Sequence, residues 1–225
     1  MCSWGSGISL FVYAMAFSLA YISLDAGMGA LILFGAVQVT MIGLGLKSGQ
    51  RPRPGEWLGL ILALGGLVYL VLPGLTAPDP LGAGLMLISG IAWGVYSLRG
   101  KRGTSPVHDT AGNFIRTVPM AVVASLLAIS LVQIERTGAL LAIASGAITS
   151  GLGYVLWYKA LRGLTATRAA IVQLLVPVLA AFGGVMFLAE QVSARLALAS
   201  GLILGGVALA VLAHGAVAST SSRGD

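Results

Sequence analysis

Gly138 to Ala213 reads GALLAIASGAITSGLGYVLWYKALRGLTATRAAIVQLLVPVLAAFGGVMFLAEQVSARLALASGLILGGVALAVLA. Three long apolar runs are divided by short polar connections, and each approaches the roughly 20 residues that a helix needs to cross a hydrocarbon core about 30 Å thick. Barrel strands would be about 10 residues long with alternating polarity, so runs of this kind span as helices that satisfy their own backbone groups. The chain carries a related passage upstream. Moving Trp57–Leu72 along by 140 positions sets it on Ala197–Leu212, where Leu58, Leu62, Leu64, Gly65, Gly66, Val71 and Leu72 meet identical residues. The same shift puts Gly43 on Gly183 and Gln50 on Glu190, which indicates an internal repeat.

Composition agrees over the whole length. Apolar residues make up 57% of the 225 positions and charged ones 9%, with a mean hydropathy of +0.96. Soluble domains are about 25% charged, so this is an all-α, polytopic transmembrane helix bundle. Eight runs are expected, near Ile8–Leu24, Gly27–Leu46, Trp57–Pro73, Leu81–Leu98, Thr117–Ile134, Gly138–Tyr158, Ala169–Ala189 and Leu196–Ala213. The formal charge of +6 does not point to nucleic acid, because the bases lie in short clusters between apolar runs. The single cysteine, Cys2, excludes an intrachain disulfide, and MCSWGSG lacks the basic start of a secretory signal.

The charge pattern orients the runs. Eleven of the thirteen bases fall on one side, and only Arg136 and Arg195 on the other. By the positive-inside rule the base-rich side is cytoplasmic, which places both termini there in a bacterial cytoplasmic (inner) membrane. The loop before Gly27–Leu46 has Asp25 and no base, whereas the loop before Ala169–Ala189 has Lys159, Arg162 and Arg168. The copies therefore cross the bilayer in opposite senses. Inverted repeats of this kind are a recurrent architecture of secondary transporters, with substrate bound near the midplane between the halves.

Several stretches resemble a known family. YVLWYKAL (Tyr154–Leu161), the Ala169–Glu190 run with its central Pro177 and closing LAE, and GLILGG (Gly201–Gly206) are similar to the second EamA repeat of the drug/metabolite transporter superfamily. Leu85–Arg102 resembles the first helix of that repeat, and Gly49–Leu70 the end of the first repeat. The resemblance implies ten helices in two inverted repeats of five, so by pattern this chain lacks the first two. It divides into an incomplete first repeat of three helices (1–75), a complete second repeat of five (81–214) and a polar tail (215–225). Transporters of this family line their cavity partly with the first helix, so a homodimer, or a partner chain supplying two helices, would complete the bundle. Gln50 stands where the family often has Glu, and Val37 stands opposite Pro177.

The function implied is a secondary transporter or exporter of a small metabolite, amino acid-like or drug-like, working by alternating access. The alternative is a truncated, non-transporting remnant or accessory helix bundle. An enzyme is not expected, since no Ser/His, paired-Asp or HExxH constellation lies in the runs, and the lack of GxxxxGK[ST] argues against an ATP-driven pump. No cofactor and no metal is expected, because His108 and His214 are too few for a zinc site. No Asp or Glu falls mid-run, which leaves ion coupling to helices outside this sequence or makes the protein a facilitator or exchanger.

Substrate would meet polar and aromatic groups set in apolar sequence, each of which could equally serve helix packing. Tyr13, Phe17 and Tyr21 stripe one helical face; Trp93 with Tyr96, and Ser150 with Tyr154, pair on two others; Gln38 and Gln173 are amides deep in apolar runs. Asn113 sits beside Arg116, whose side chain either snorkels or captures an anionic group. Pro177 breaks a backbone hydrogen bond and kinks its helix, for gating or for packing. Trp157 and Tyr158 are expected in an interfacial aromatic belt, and the Gly90/Gly94 and Gly201/Gly205 pairs at close helix contacts.

Overall fold

The computed structural model describes residues 2–72, 77–103, 105–131, 135–188 and 192–212. Glu190, His214, Arg223 and the polar tail lie outside these residues. Among the described residues eight helical passages follow one another: α1 (Trp4–Ala20), α2 (Ala26–Lys47), α3 (Pro54–Val71), α4 (Pro80–Lys101), α5 (Pro106–Leu127), α6 (Arg136–Leu161), α7 (Ala166–Val172 continued by Leu175–Leu188) and α8 (Ala194–Leu212). Seven are long and apolar enough to span a membrane, and α1 is a shorter apolar helix of 17 residues. The protein is an all-α polytopic bundle.

Local chemistry sets the ends. Pro54, Pro80 and Pro106 open α3, α4 and α5, where a missing N–H costs nothing. Ser3, Asp79 and Thr165 accept hydrogen bonds from Ser6, Gly82 and Arg168 backbone N–H groups at the starts of α1, α4 and α7. α2 ends where Gly49 takes φ +81° and the Gln50 N–H reaches back to the Gly45 carbonyl, a closure that glycine allows without strain.

The largest departure from expectation concerns α5, which starts at Pro106 rather than near Thr117. Its first turns carry Asp109, Thr110 and Asn113, polar residues that hydropathy assigns to a loop, yet the fold buries all three. Asp109 accepts from the Cys2 backbone N–H at 2.6 Å, and Asn113 donates to the Tyr158 hydroxyl at 3.4 Å. Asp109 and Asn113 are tolerated inside the helix bundle because they have partners, which hydropathy alone does not see.

The most extensive pairing joins α3 to α8, the two helices related by the 140-residue shift. A Cβ on Gly206 would lie 2.5 Å from the Gly59 carbonyl, and one on Gly59 would strike the Gly206 carbonyl, while Gly66 faces Ala199. The helices are therefore antiparallel. The contacts also exchange under the shift: a Cβ on Gly66 would meet Ile203 at 2.9 Å and one on Gly206 would meet Ala63 at 3.1 Å, where 63 and 203, 66 and 206 are equivalent positions. A two-fold relation between the copies produces this reciprocity. Small residues let the backbones approach, the usual device of packing in lipid. The expected Gly201/Gly205 face is corrected here, since neither has an atom within 4 Å of its added Cβ and Gly206 makes the contact instead. Gly90 and Gly94 do lie at close contact, against Ala36 and Thr40 of α2.

α1 packs on α4 and α5, and α2 on α4 and the first half of α7. The main buried cluster, including Leu10, Phe34, Val37, Met41, Leu67, Tyr96, Tyr158, Ile171 and Ile203, joins α1, α2, α3, α4, α6, α7 and α8.

Candidate functional site: an aromatic cavity between the copies

α7 is interrupted at Gln173 and Leu174. Pro177 has no N–H to offer the Gln173 carbonyl four residues back, and that carbonyl takes the Val176 N–H at 3.0 Å instead. A second irregularity faces the break. α6 is wound as a π-helix from Ser145 to Leu152, and the Thr149 hydroxyl donates to the Ser145 carbonyl at 2.6 Å. Such wide turns recur at functional sites.

Between these two irregular segments lies a cavity of about 770 Å³. It is lined by Tyr13, Phe17 and Tyr21 of α1, Phe34 and Val37 of α2, Trp93 of α4, Ser150, Tyr154 and Trp157 of α6, and Gln173 and Pro177 of α7, among others. The rings form a continuous wall. Centroids are 4.7 Å apart for Tyr13–Trp93 and for Phe17–Tyr21, and 5.0 Å for Trp93–Tyr154, all tilted or edge-on as the ring quadrupole favours. Polar groups are few and held: the Trp93 indole N–H donates to Gln173 Oε1, while Gln173 Nε2 donates to the Ala169 carbonyl at 3.2 Å. Among the described residues, the lining includes no Lys, Arg, Asp or Glu. A volume of this size suits a small organic molecule, which the walls would hold mainly by apolar and stacking contact.

Of the ten residues singled out in the sequence, Tyr13, Tyr21, Trp93, Ser150, Tyr154, Gln173 and Pro177 line this space. Gln38, Tyr96 and Asn113 do not. Gln38 donates to the Ala170 carbonyl at 2.8 Å, beside the break in α7. Tyr96 is fully buried, with its ring 5.7 Å from that of Trp93, and Asn113 is fully buried beneath Tyr158. These three support the wall from outside. Trp157 and Tyr158 correct the aromatic-belt expectation: Trp157 lines the cavity and donates to Ser97 Oγ at 3.0 Å, and Tyr158 is 1% exposed, its hydroxyl reaching the Tyr96 carbonyl at 3.5 Å. Their position near a helix end suggested an interface, but the neighbouring helices cover them. Phe34 and Val172 join the lining without any sequence signal, being apolar residues in apolar runs.

The two ends of the cavity differ. Towards the base-poor side the lining runs out to Tyr21 and to the exposed Ala26, where α1 ends and α2 begins, while Val176, Leu179 and Ala180, in the middle of the α7 passage, are exposed along its flank. Towards the base-rich side the copies are tied together. Arg168 Nε meets Glu56 Oε1 at 2.9 Å, and Gln50 Oε1 accepts from the Ala166 N–H at 2.9 Å. Within the second copy, Arg162 donates to the Gly103 carbonyl at 3.1 Å and Lys101 donates to the Leu164 carbonyl. Arg168 was expected in a loop. It lies instead in the first turn of α7 and is 7% exposed, a cost that its ion pair offsets. Arg116 lies midway along α5, where its Nη1 donates to Cys2 Sγ and to the Gly112 carbonyl, each at 2.7 Å.

A bundle of membrane-length helices with an antiparallel pair related by an internal repeat, built around a cavity of small-molecule size, is the architecture of a multi-pass membrane transporter. Comparison with known proteins agrees. Residues 80–212 match the EamA-like transporter family, and the chain belongs to that family. It is 51% identical over 206 residues to an uncharacterized protein of Pseudomonas aeruginosa, covering 92% of this chain and 72% of that one. It is 27% identical over 215 residues to an uncharacterized transporter of Archaeoglobus fulgidus, covering 91% of this chain and 72% of the relative. It is 39% identical over 64 residues to the uncharacterized inner membrane transporter YedA of Escherichia coli, 28% of this chain and 21% of YedA. A crystal structure superposes with a TM-score of 0.81 at 23% identity, covering 95% of this chain and 77% of the other, a likeness of fold.

Proposed function

We propose that the protein is a secondary transporter that carries a small, amino acid-like or drug-like metabolite across a bacterial cytoplasmic membrane by alternating access. The observation that carries the reading is the polarity of the cavity, whose lining reaches exposed residues on the base-poor side while cross-copy contacts shut the base-rich side. With the base-rich side cytoplasmic, both termini lie in the cytoplasm and this arrangement is open to the outside. Rocking of one copy against the other would exchange the open and closed ends. Binding energy comes mainly from ring contacts, and among the described residues no charged group lines the cavity to fix the ligand.

Flux into proteoliposomes tests the proposal. Vesicles holding the purified protein, loaded in turn with radiolabelled amino acids and with apolar drug-like solutes, should exchange at least one of them faster than empty vesicles. No flux with any solute, from protein shown to be folded, sinks the reading.

One observation favours the second reading, an accessory bundle that acts beside another chain or as a homodimer. Residues Arg136–Leu152 of α6 bury no side chain. Light scattering in detergent, with the detergent mass subtracted, distinguishes a lone chain from a dimer or a complex.

A further inference from the structure

Glu56 and Arg168 come from opposite copies of the repeat and meet where their helices begin. Glu56 stands in the first turn of α3 and Arg168 in the first turn of α7, with side chains 4% and 8% exposed. Neither lines the cavity. Both, however, control the half of α7 that lies before the break. The N-terminal half, Ala166–Val172, is tied to the first copy twice, by Glu56 at the start of α3 to Arg168 and by Gln50 of the α2–α3 connection to the Ala166 N–H. The half beyond the break carries Val176, Pro177, Leu179 and Ala180 along the cavity wall. Gln173 and Leu174 lie between the two and give the chain a place to bend.

The pair is built to part. A brace between buried charges is strongest when an arginine fork takes both carboxylate oxygens. Here only Nε is engaged with Oε1, and Arg168 Nη2 is buried with no hydrogen-bond partner. The second carboxylate oxygen, Oε2, accepts from the Arg53 backbone N–H at 2.9 Å and so caps its own helix. When the pair separates, Glu56 keeps that bond, and the long Arg168 side chain, one turn from the helix start, reaches water by extending. Each partner thus has somewhere to go in both arrangements, which a two-state element requires.

We propose that Glu56 and Arg168 are the latch of the base-rich gate: their ion pair holds the cavity closed on that side, and its rupture is the step that opens it. The proposal rests on the alternating-access reading, and both residues act as positioning residues that never touch the substrate.

Side-specific labelling tests it. Cys2 is the single cysteine, so a Cys2→Ser, Ser150→Cys protein carries one thiol, in the cavity wall. In sealed vesicles of known orientation, a membrane-impermeant maleimide should label it from the base-poor side. Glu56→Gln, which keeps the shape and removes the charge, should raise labelling from the base-rich side about tenfold, the effect of losing one charge-assisted hydrogen bond. The exchanged pair Glu56→Arg with Arg168→Glu should return labelling towards the base-poor side. Arg168→Lys, which keeps the charge and removes the Nε donor, gives the same readout where Glu56→Gln does not fold. Unchanged sidedness in the folded single variants overturns the latch. Failure of the parent reading shows separately, as absence of flux by the unsubstituted chain, so the two failures are told apart.

Discussion

α2 and α7 occupy equivalent places in the two copies, yet one is a single helix of 22 residues and the other is broken after seven. The 140-residue shift sets Val37 opposite Pro177. Val37 is fully buried and leaves the α2 hydrogen-bond ladder whole, whereas Pro177 withdraws one donor and splits α7. The copies then compensate each other across the interface, because Gln38 of the intact helix donates to the Ala170 carbonyl close to the break in its counterpart. One sequence difference thus makes the two halves mechanically unlike. The continuous helix and the broken one border the same cavity.

Exchanging the two helices' characters tests this most severely. Val37→Pro should destabilise the protein by about 3 kcal/mol or more, since a proline inside a helix removes a bond and clashes with the preceding turn; the thermal midpoint in detergent reports it. Pro177→Ala should do the reverse, raising that midpoint while slowing flux about tenfold if the bend is used in the cycle, because a healed helix loses its hinge. Faster flux with the same gain in stability would show that the break serves packing alone. Gln38→Leu should cost on the order of 1 kcal/mol, the scale of an interhelical hydrogen bond in a membrane, and loosen α2 against α7 as seen by faster amide exchange around Ala170. Trp93→Phe keeps the ring wall and removes the donor to Gln173, so its effect should be the smallest, about 0.5 kcal/mol, with substrate affinity more sensitive than stability.

Much of this architecture is legible in the sequence. Length and apolarity demand helices when the solvent is lipid, and the base-rich connections order them. The i, i+4, i+8 aromatic stripe of α1 does line the cavity, since a helix turns the same face to its neighbour every 3.6 residues. Pro177 announces a break because its missing N–H is a local fact. Gly206 could not be distinguished from Gly201 and Gly205, as all three are glycines in one apolar run and only the helix phase selects the one that meets Gly59.

The sequence by itself determined the class, the eight passages, the internal repeat and the place of the break in α7, because hydropathy, charge and a missing donor act within a few residues. Only the tertiary structure decided which polar groups go inside. Glu56 and Arg168 lie 112 positions apart, and Arg168 reads as a loop residue; burial is tolerable for each only because the other arrives to meet it. Asp109 and Asn113 likewise enter the bundle through partners on the N-terminal residues and on α6. Such pairings depend on where the copies touch, which is a property of the packed bundle and not of any one run.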